Sequence, residues 1–505
     1  MKASRFRGDW PWILIGLSYW VSRCLTLTHL PVFADEAIYI RWAQMMANDP
    51  KQYLFLPMYD GKPPLFMWLL NLFLPLNYGE PLLTARLLSV TAGFITLILL
   101  RFIIKALGGS RQAQLYGALV YLILPFTFFH DRMALIDSLL VTFLSASFLT
   151  LIKVRQTGHW KWASLAGIFW GLALMSKTSA LWFPLIMPLM IICLPEALDK
   201  QSLKRVIGGY MLTGVIGLCL FYSLKMSPLF PFLFNRSADF SLTLSEILQG
   251  EWRRSGINGL NLGRYLFWYV TWPVLVLPLV AGFLKPLKKQ SLRQRCLPLT
   301  LVCLAISLTL PLILLGKIVF SRYYLPTIIF LIPAATLAWE RLQAQRYRIL
   351  GWLLTGWLII QSIWFIYPWY SNLNQAHLPR EDREQYLTEW SAGFGNREVA
   401  EWLKQAALTQ PIAVATEGYF GTLPDGLSIY FDHNPSNEQV KIFGVGQPVR
   451  ELADSIKEQV PLKDTFLVVN EHRLSLNLDS CCTLVKRFPR PFGGPALLLI
   501  KVNQI

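Results

Sequence analysis

The sequence predicts a polytopic α-helical membrane protein of about eleven transmembrane helices, carrying a C-terminal α/β domain outside the membrane. Three observations predict it. The chain is 54% hydrophobic and only 15% charged, with 19 tryptophans, and apolar runs near the roughly 20 residues a span requires recur through most of the first 370 positions. The loops between those runs are basic on alternate connections. After Pro368 the composition turns to that of a water-soluble domain.

The runs fall at 10–30, 83–104, 113–130, 134–152, 161–175, 178–194, 206–224, 264–284, 297–315, 319–338 and 348–366. One set of connections holds Lys2, Arg5 and Arg7; Lys105 and Arg111; Lys153, Arg155 and Lys161; Lys204 and Arg205; Lys285, Lys288, Lys289, Arg293 and Arg295; and Arg341, Arg346 and Arg348. An odd span count with a cytoplasmic N-terminus puts all of these inside and places residues 368–505 outside. The net charge of +17 then belongs to loops facing anionic headgroups and implies no nucleic acid. The first run is long, rich in tryptophan and lacks a small-residue cleavage site, so it reads as an uncleaved anchor. The expected location is the plasma membrane, multi-pass, with domains at 1–367 and 368–505.

Outside the spans, residues 64–76 are apolar but about 20 Å long as a helix, too short to cross, and are expected to lie in the interface. In the outer domain, helices are expected at 396–408 and 448–459 and strands at 412–416, 440–445, 465–470 and 496–502. Alternating helix and strand make a small layered α/β structure. Five of the seven cysteines lie in or at the edge of apolar runs, where they act as small hydrophobes. Neighbouring Cys481 and Cys482 are poorly spaced for a bridge, so the fold is not expected to depend on disulfides.

The unusual chemistry gathers in the outward connections. Asp35-Glu36 follows the first run, and Tyr59-Asp60-Gly61-Lys62-Pro63-Pro64-Leu65 follows soon after. Carboxylates at a membrane boundary are costly unless solvated or used. A lysine before two prolines, at the mouth of a helix whose start is already positive, suits a place where an anion such as phosphate also sits. The plainer reading is that the acids cap a helix over 37–47. On the next outer turn come His130-Asp131-Arg132 and then Asp137, again open to a capping reading. Lys177 lies between apolar runs, where a snorkelling lysine is the alternative. Arg322-Tyr323-Tyr324 opens the tenth run, where a tyrosine also suits the aromatic belt; with Lys317 it suggests an anion site. The stretch from Glu417 to Asp425 is the most site-like outside the membrane, or an ordinary strand-to-helix turn. Carboxylates and cations on one membrane face fit a lipid-linked phosphate, whose headgroup rests at that depth.

Those residues carry a resemblance. The order Asp35-Glu36, Lys62-Pro63-Pro64-Leu65 with Trp68, Ala85-Arg86-Leu87, Arg132 to Asp137, Leu174-Met175-Ser176-Lys177 and Arg322-Tyr323-Tyr324-Leu325-Pro326 resembles the GT-C membrane glycosyltransferases of the family 39 type. That group contains protein O-mannosyltransferases and lipid A aminoarabinose transferases; the Lys-Pro-Pro form is more like the bacterial branch. The resemblance implies a GT-C-like membrane domain and a polyprenyl-phosphate sugar donor used at the outer face. Asp35, Asp137 and Glu36 would be the catalytic acids, and Lys62, Arg86, Arg132, Lys177, Arg322 and Tyr323 the donor-phosphate ligands. The acceptor would be protein, lipid or glycan. One departure is Ile38, where the aminoarabinose transferases place an arginine three residues after the first acid; Arg41 comes later. The acids could hold a divalent metal ion, but no His-acid spacing marks one. A flippase for lipid-linked sugars is the competing class, without the internal repeats transporters show; a polysaccharide ligase or polymerase is a neighbouring chemistry.

Overall fold

The computed structural model describes residues 3–77, 79–193, 199–284, 291–431, 439–476 and 481–503. Lys2, Lys285, Lys288 and Lys289 of the expected inside loops lie outside the described residues. Six described helices are long and apolar enough to cross a membrane: Pro81–Ala106, Ile136–Thr157, Lys200–Met226, Arg293–Leu315, Ser321–Gln343 and Arg348–Ser371. A seventh is added if Arg253–Val270 and Trp272–Phe283, bent by 102°, count as one span.

The other expected runs are short or broken, for reasons that lie in single residues. Leu124 is pushed to an extended backbone (ψ 126°) by the proline after it, which splits run 113–130 into Arg111–Ile123 and Pro125–His130. Run 178–194 begins as a 3-10 turn, Thr178–Leu185, with Pro184 inside it. Thr271, at φ +67°, makes the sharp bend in run 264–284. Trp160–Ser176 is regular but has 17 residues, about 25 Å. The first helix, Ala3–Cys24, stops short of its expected end at 30 because Thr26 turns the chain at φ +54°.

Packing groups the chain into two compact units. The first comprises Met1–Leu25, Phe55–Phe66 and Ser89–Tyr367; the second comprises Thr26–Leu54, Met67–Leu88 and Pro368–Ile505. At the centre of the first unit are Ser321–Gln343 and Ile136–Thr157, with 94% and 83% of their apolar windows buried; Lys200–Met226, at 28%, has most of its surface outward. Small residues let helices approach closely. Gly167 and Gly171 of Trp160–Ser176 face the helix Lys200–Tyr222 so tightly that a Cβ on either would come within 2.8 Å of Ile216 or Leu220. Thr213 Oγ1 donates across the same seam to the Ala163 carbonyl at 3.1 Å.

In the second unit β1 (Ile412–Thr416), β2 (Val440–Gly444), β3 (Asp464–Asn470), β4 (Cys482–Phe488) and β5 (Leu497–Val502) form one sheet in the order β2-β1-β3-β5-β4. β1 runs parallel to both neighbours, and β5 is antiparallel to β3 and β4. Alternate residues feed two apolar layers. Ile412, Val414, Phe466 and Val468 pack under the helix Asn396–Ala406 through Val399 and Leu403, while Ala415, Leu467, Val469 and Ile500 pack with Ile456 on the other face. The four expected strands are present. β4 is an addition: its middle residues are exposed and include Lys486 and Arg487, so no apolar pattern marks it. The expected helix 448–459 shrinks to Asp454–Lys457. Val449 instead pairs beside β3's exit, taking the Arg473 carbonyl at 2.8 Å and giving its own to Ser475 at 2.8 Å. The interfacial helix expected at 64–76 is Leu65–Phe73 followed by a 3-10 turn.

The close seam gives a stability test. Gly217 would carry a Cβ 2.2 Å from the Trp170 ring, whereas Gly214 on the same helix has open space. Gly217→Leu should lower stability by about 1–3 kcal/mol through overpacking, and Gly214→Leu should stay within about 0.5 kcal/mol. Thermal unfolding of the detergent-purified protein measures both.

Candidate functional site

The site residues of the second unit surround the start of the helix Ala34–Asn48. Phe33 is its extended N-cap, and Asp35 and Glu36 occupy the first turn, where the helix dipole favours acids. Glu36 caps the helix, its Oε2 accepting the Phe33 N–H at 2.9 Å. It also forms a two-pronged pair with Arg86, Nε to Oε1 at 2.8 Å and Nη2 to Oε2 at 2.7 Å. Arg86 then donates Nη1 to the Leu27 and Leu30 carbonyls at 2.7 and 2.6 Å and Nη2 to the Pro31 carbonyl at 3.0 Å. A guanidinium has five N–H groups, and these contacts use all five. Both side chains are sealed from solvent. Asp35, by contrast, is only partly buried.

Further along this helix, Gln44 Nε2 donates to the Ile429 carbonyl at 2.9 Å and Trp42 packs against Phe420 with centroids 5.9 Å apart. The stretch from Glu417 to Asp425 is thus tied to the helix of Asp35. Glu417 itself is buried, accepting the Asn470 N–H at 2.9 Å, Asn470 Nδ2 at 2.5 Å and Arg473 Nη1 at 3.4 Å. Arg473 lies 4.3 Å over the Trp390 ring.

The first unit holds two further clusters. In one, Gly61 turns the chain at φ +75°, and Lys62 Nζ donates to Asp60 Oδ2 at 2.5 Å. Asp60 Oδ1 accepts from Arg236, whose Nε reaches Asp239 at 3.1 Å, and Tyr59 stacks near Phe232 at 5.0 Å. Pro63 and Pro64 come just before the helix Leu65–Phe73 rather than in its first turn. In the other cluster, Asp137 sits in the first turn of Ile136–Thr157, and its Oδ1 accepts Lys177 Nζ at 2.7 Å. The ammonium lies 3.9 Å from the Tyr323 ring centroid, with the Arg322 guanidinium 5.6 Å over the same ring. Lys177 reaches this position because it leaves the helix Trp160–Ser176 in an extended conformation. Tyr323 also walls a small, mostly apolar cleft lined by Leu140, Leu144, Trp182, Leu312 and Pro326, with Ser179, Thr309 and Thr327.

Arg132 hydrogen-bonds the Leu25 carbonyl at 2.9 Å and lies 4.8 Å over Phe128. Neighbouring Asp131 is buried among Tyr19, Tyr121 and Ser138, at 3.1, 3.0 and 3.1 Å. His130 is buried with neither ring nitrogen hydrogen-bonded. Arg236, Arg473 and Arg490 are not marked in the sequence because each finds a partner across the fold; Asp60 beside Lys62 and Asp239 three residues after Arg236 are the local signals. Among the described residues, no three His, Cys, Asp or Glu side chains gather as metal ligands do.

This architecture is shared with solved structures of low sequence identity. It matches ArnT from Cupriavidus metallidurans in the apo state at 15% identity and a TM-score of 0.58, covering 98% of each chain. The undecaprenyl phosphate-bound form of that protein matches at 15% identity and TM-score 0.58, over 97% of this chain and 98% of that one. The oligosaccharyltransferase AglB from Archaeoglobus fulgidus, in complex with an inhibitory peptide and a dolichol-phosphate, matches at 12% identity and TM-score 0.52, over 92% of this chain and 70% of that one. Residues 61–224 match the family of dolichyl-phosphate-mannose-protein mannosyltransferases, a stretch containing Lys62, Arg86, Arg132, Asp137 and Lys177 but neither Asp35 nor Arg322. No curated protein matches the chain by sequence.

Asp425 gives the second unit a pH signature. Burial pushes its carboxyl up to about 6, against the Gly421 N–H and the nearby charge of Arg41. The folded state therefore keeps a proton that the unfolded chain releases near pH 4, so stability falls as pH rises from about 4 through 6. The loss should be about 2–3 kcal/mol, and Asp425→Asn should flatten it. Unfolding followed between pH 4 and pH 7.5 in both proteins checks the sign.

Proposed function

We propose that the protein is a glycosyltransferase that moves a sugar from a polyprenyl-phosphate donor to an acceptor hydroxyl at the outer face of the plasma membrane. One observation carries this reading: Lys177, Asp137, Arg322 and Tyr323 form a charged cluster whose tyrosine is also a wall of an apolar cleft. A soluble sugar nucleotide has no use for that combination; a phosphate on a hydrocarbon tail does. The GT-C fold supports it, as do the polyprenyl phosphates named with ArnT and AglB.

In this reading the acceptor oxygen attacks the anomeric carbon, the carbon–phosphate oxygen bond breaks, and the phosphate departs with the bonding electrons. Asp35 takes the acceptor proton. Lys62, with Arg236 beside it on Asp60, meets the charge that grows on the phosphate, and Lys177, Arg322 and Tyr323 contribute cations and an aromatic face. Asp137 is the second acid, holding Lys177. Attack opposite the leaving group inverts the centre. Glu36 and Arg86 take a positioning role in place of the direct one their motif suggests, because the pair occupies all the guanidinium donors. Arg132 serves in the same way through the Leu25 carbonyl. In chain order we take 1–367 as the catalytic membrane part, with eleven spans, and 368–505 as the outer domain.

The test uses purified protein in vesicles with a panel of polyprenyl-phosphate sugars and protein, lipid and glycan acceptors, read by mass spectrometry. Free polyprenyl phosphate should form only with an acceptor present; movement of intact donor between leaflets without cleavage would mean a flippase. Asp35→Asn should lower turnover by about 10²–10⁴-fold with donor binding retained, while Lys62→Ala should weaken donor binding as well as turnover.

Orientation has its own check. A periplasmic-type reporter fused after Ile366 should be active outside, and a cytoplasmic reporter near Lys288 inside. Activity of the Ile366 fusion in the cytoplasm would make the span count even.

A further inference from the structure

The segment that leads into Asp35 is paired, strand to strand, with the chain just ahead of the C-terminal sheet. Ala34 N–H donates to the Ser391 carbonyl at 3.0 Å, and Gly393 N–H donates to the Val32 carbonyl at 2.9 Å. Phe33 stands opposite Ala392 in antiparallel register, its ring packed on Tyr386 at 4.7 Å. The approach leaves no room for a side chain at Gly393, where a Cβ would lie 2.4 Å from the Val32 carbonyl oxygen.

Ala392 is itself fixed. Its carbonyl accepts Arg490 Nε at 3.2 Å and Nη2 at 3.0 Å. Arg490 Nη2 also reaches Asn470 Oδ1 at 2.5 Å, and its Nη1 reaches the Pro495 carbonyl. Asn470 is the last residue of β3 and is locked to Glu417, which follows β1. Burial pushes the Arg490 guanidinium down to about 10, so it stays charged at neutral pH and its bonds to the carbonyl are charge-assisted. A set of hydrogen bonds thus runs from the carboxyl ends of two parallel strands through Arg490 and the Ala392–Gly393 peptide to the Val32 carbonyl, three residues before Asp35, and the adjoining Ser391 carbonyl takes the Ala34 N–H.

We propose that Arg490 is a positioning residue for the transfer reaction: through the Ala392 carbonyl, the sheet of the C-terminal domain sets where the Asp35 carboxylate stands. This rests on the reading of Asp35 as the proton acceptor. The domain is then a working part of the site, coupled to chemistry and indifferent to donor binding. Two anchors already hold the rest of the helix, Glu36 on Arg86 and Gln44 on Ile429. Arg490 therefore governs the entering strand and the first turn, and its loss leaves the helix in place.

The test compares Arg490→Met and Arg490→Lys with the parent, in full-length protein, using the transfer assay and donor binding measured separately. Arg490→Met should lose turnover by about 10²-fold, the scale of a small misplacement of a reacting group. The donor Kd should stay within twofold, and Arg490→Lys should recover part of the loss. A folded Arg490→Met with unchanged kcat overturns the proposal, as does an equal loss of donor binding and turnover. If Arg490→Met does not fold, the double variant Phe33→Cys with Ala392→Cys decides. Directly opposed residues of such a pair stand within disulfide range, so the closed cross-link should keep full turnover. Turnover lost on oxidation and regained on reduction would show that the strands must part, and the proposal would fall. Asp35→Asn is the separate control: full activity there removes the reading of the base while leaving the pairing itself untouched.

Discussion

A buried guanidinium with all five N–H groups satisfied is the constraint on which the second unit depends. Arg86 closes the chain from Leu27 to Glu36 into one conformation by taking three carbonyls and both oxygens of a carboxylate. Removing one partner of such a pair leaves the other charge in low dielectric, which costs about 3–5 kcal/mol. The arrangement is therefore all or nothing, and it fixes the direction in which the helix Ala34–Asn48 sets out. Asp35 inherits that direction without taking part in the pair. Adjacent acids divide the work: Glu36 faces inward and holds the turn, and Asp35 keeps a more open position.

The same economy recurs in the first unit. Asp60 and Asp137 each hold a lysine, and each lysine sits at the edge of a helix or turn where an extended or left-handed backbone residue places it. Gly61 does so for Lys62, and the extended Lys177 does so for itself. A lysine on four flexible carbons carries about 2 kcal/mol of rotamer freedom. A carboxylate partner removes that freedom before any ligand arrives, so the ordering is already in place when an anion binds. Aromatic faces do the remainder: Tyr323 lies under both Lys177 and Arg322, a placement that favours cations without adding negative charge.

What the sequence could show follows from which forces are local. Six long helices and four of the five strands carry their own apolar runs, and the helix Asn396–Ala406 its own periodicity, so local sequence marks them. The breaks at Leu124 and Thr271 need a backbone angle, and only the first is signalled, by Pro125. β4 is an exposed edge and has no apolar code to read. Among the site residues, Asp35-Glu36 and Lys62 stand out because charge is out of place beside apolar runs. The division of labour between the two acids was not legible, since it depends on Arg86, fifty residues on. Arg236, Arg473 and Arg490 were silent for the same reason: an arginine in a polar loop looks solvated until a partner is brought to it by the fold.

Electrostatics explains why a site of cations held on carboxylates suits the proposed transfer. A sugar joined through phosphate to a polyprenyl chain is a diester with one negative charge. Once the sugar leaves, the phosphate is a monoester whose charge approaches two. A cation about 4 Å away at an effective dielectric near 20 is worth about 4 kcal/mol per unit charge, so its attraction nearly doubles as the bond breaks. That difference, and not the initial grip, lowers the barrier. In the proposed reaction, cations at this site would hold the departing phosphate better than the donor. A base at Asp35, as proposed, would face the complementary demand, since its proton transfer would help only with the carboxylate already at the acceptor oxygen when that charge begins to move.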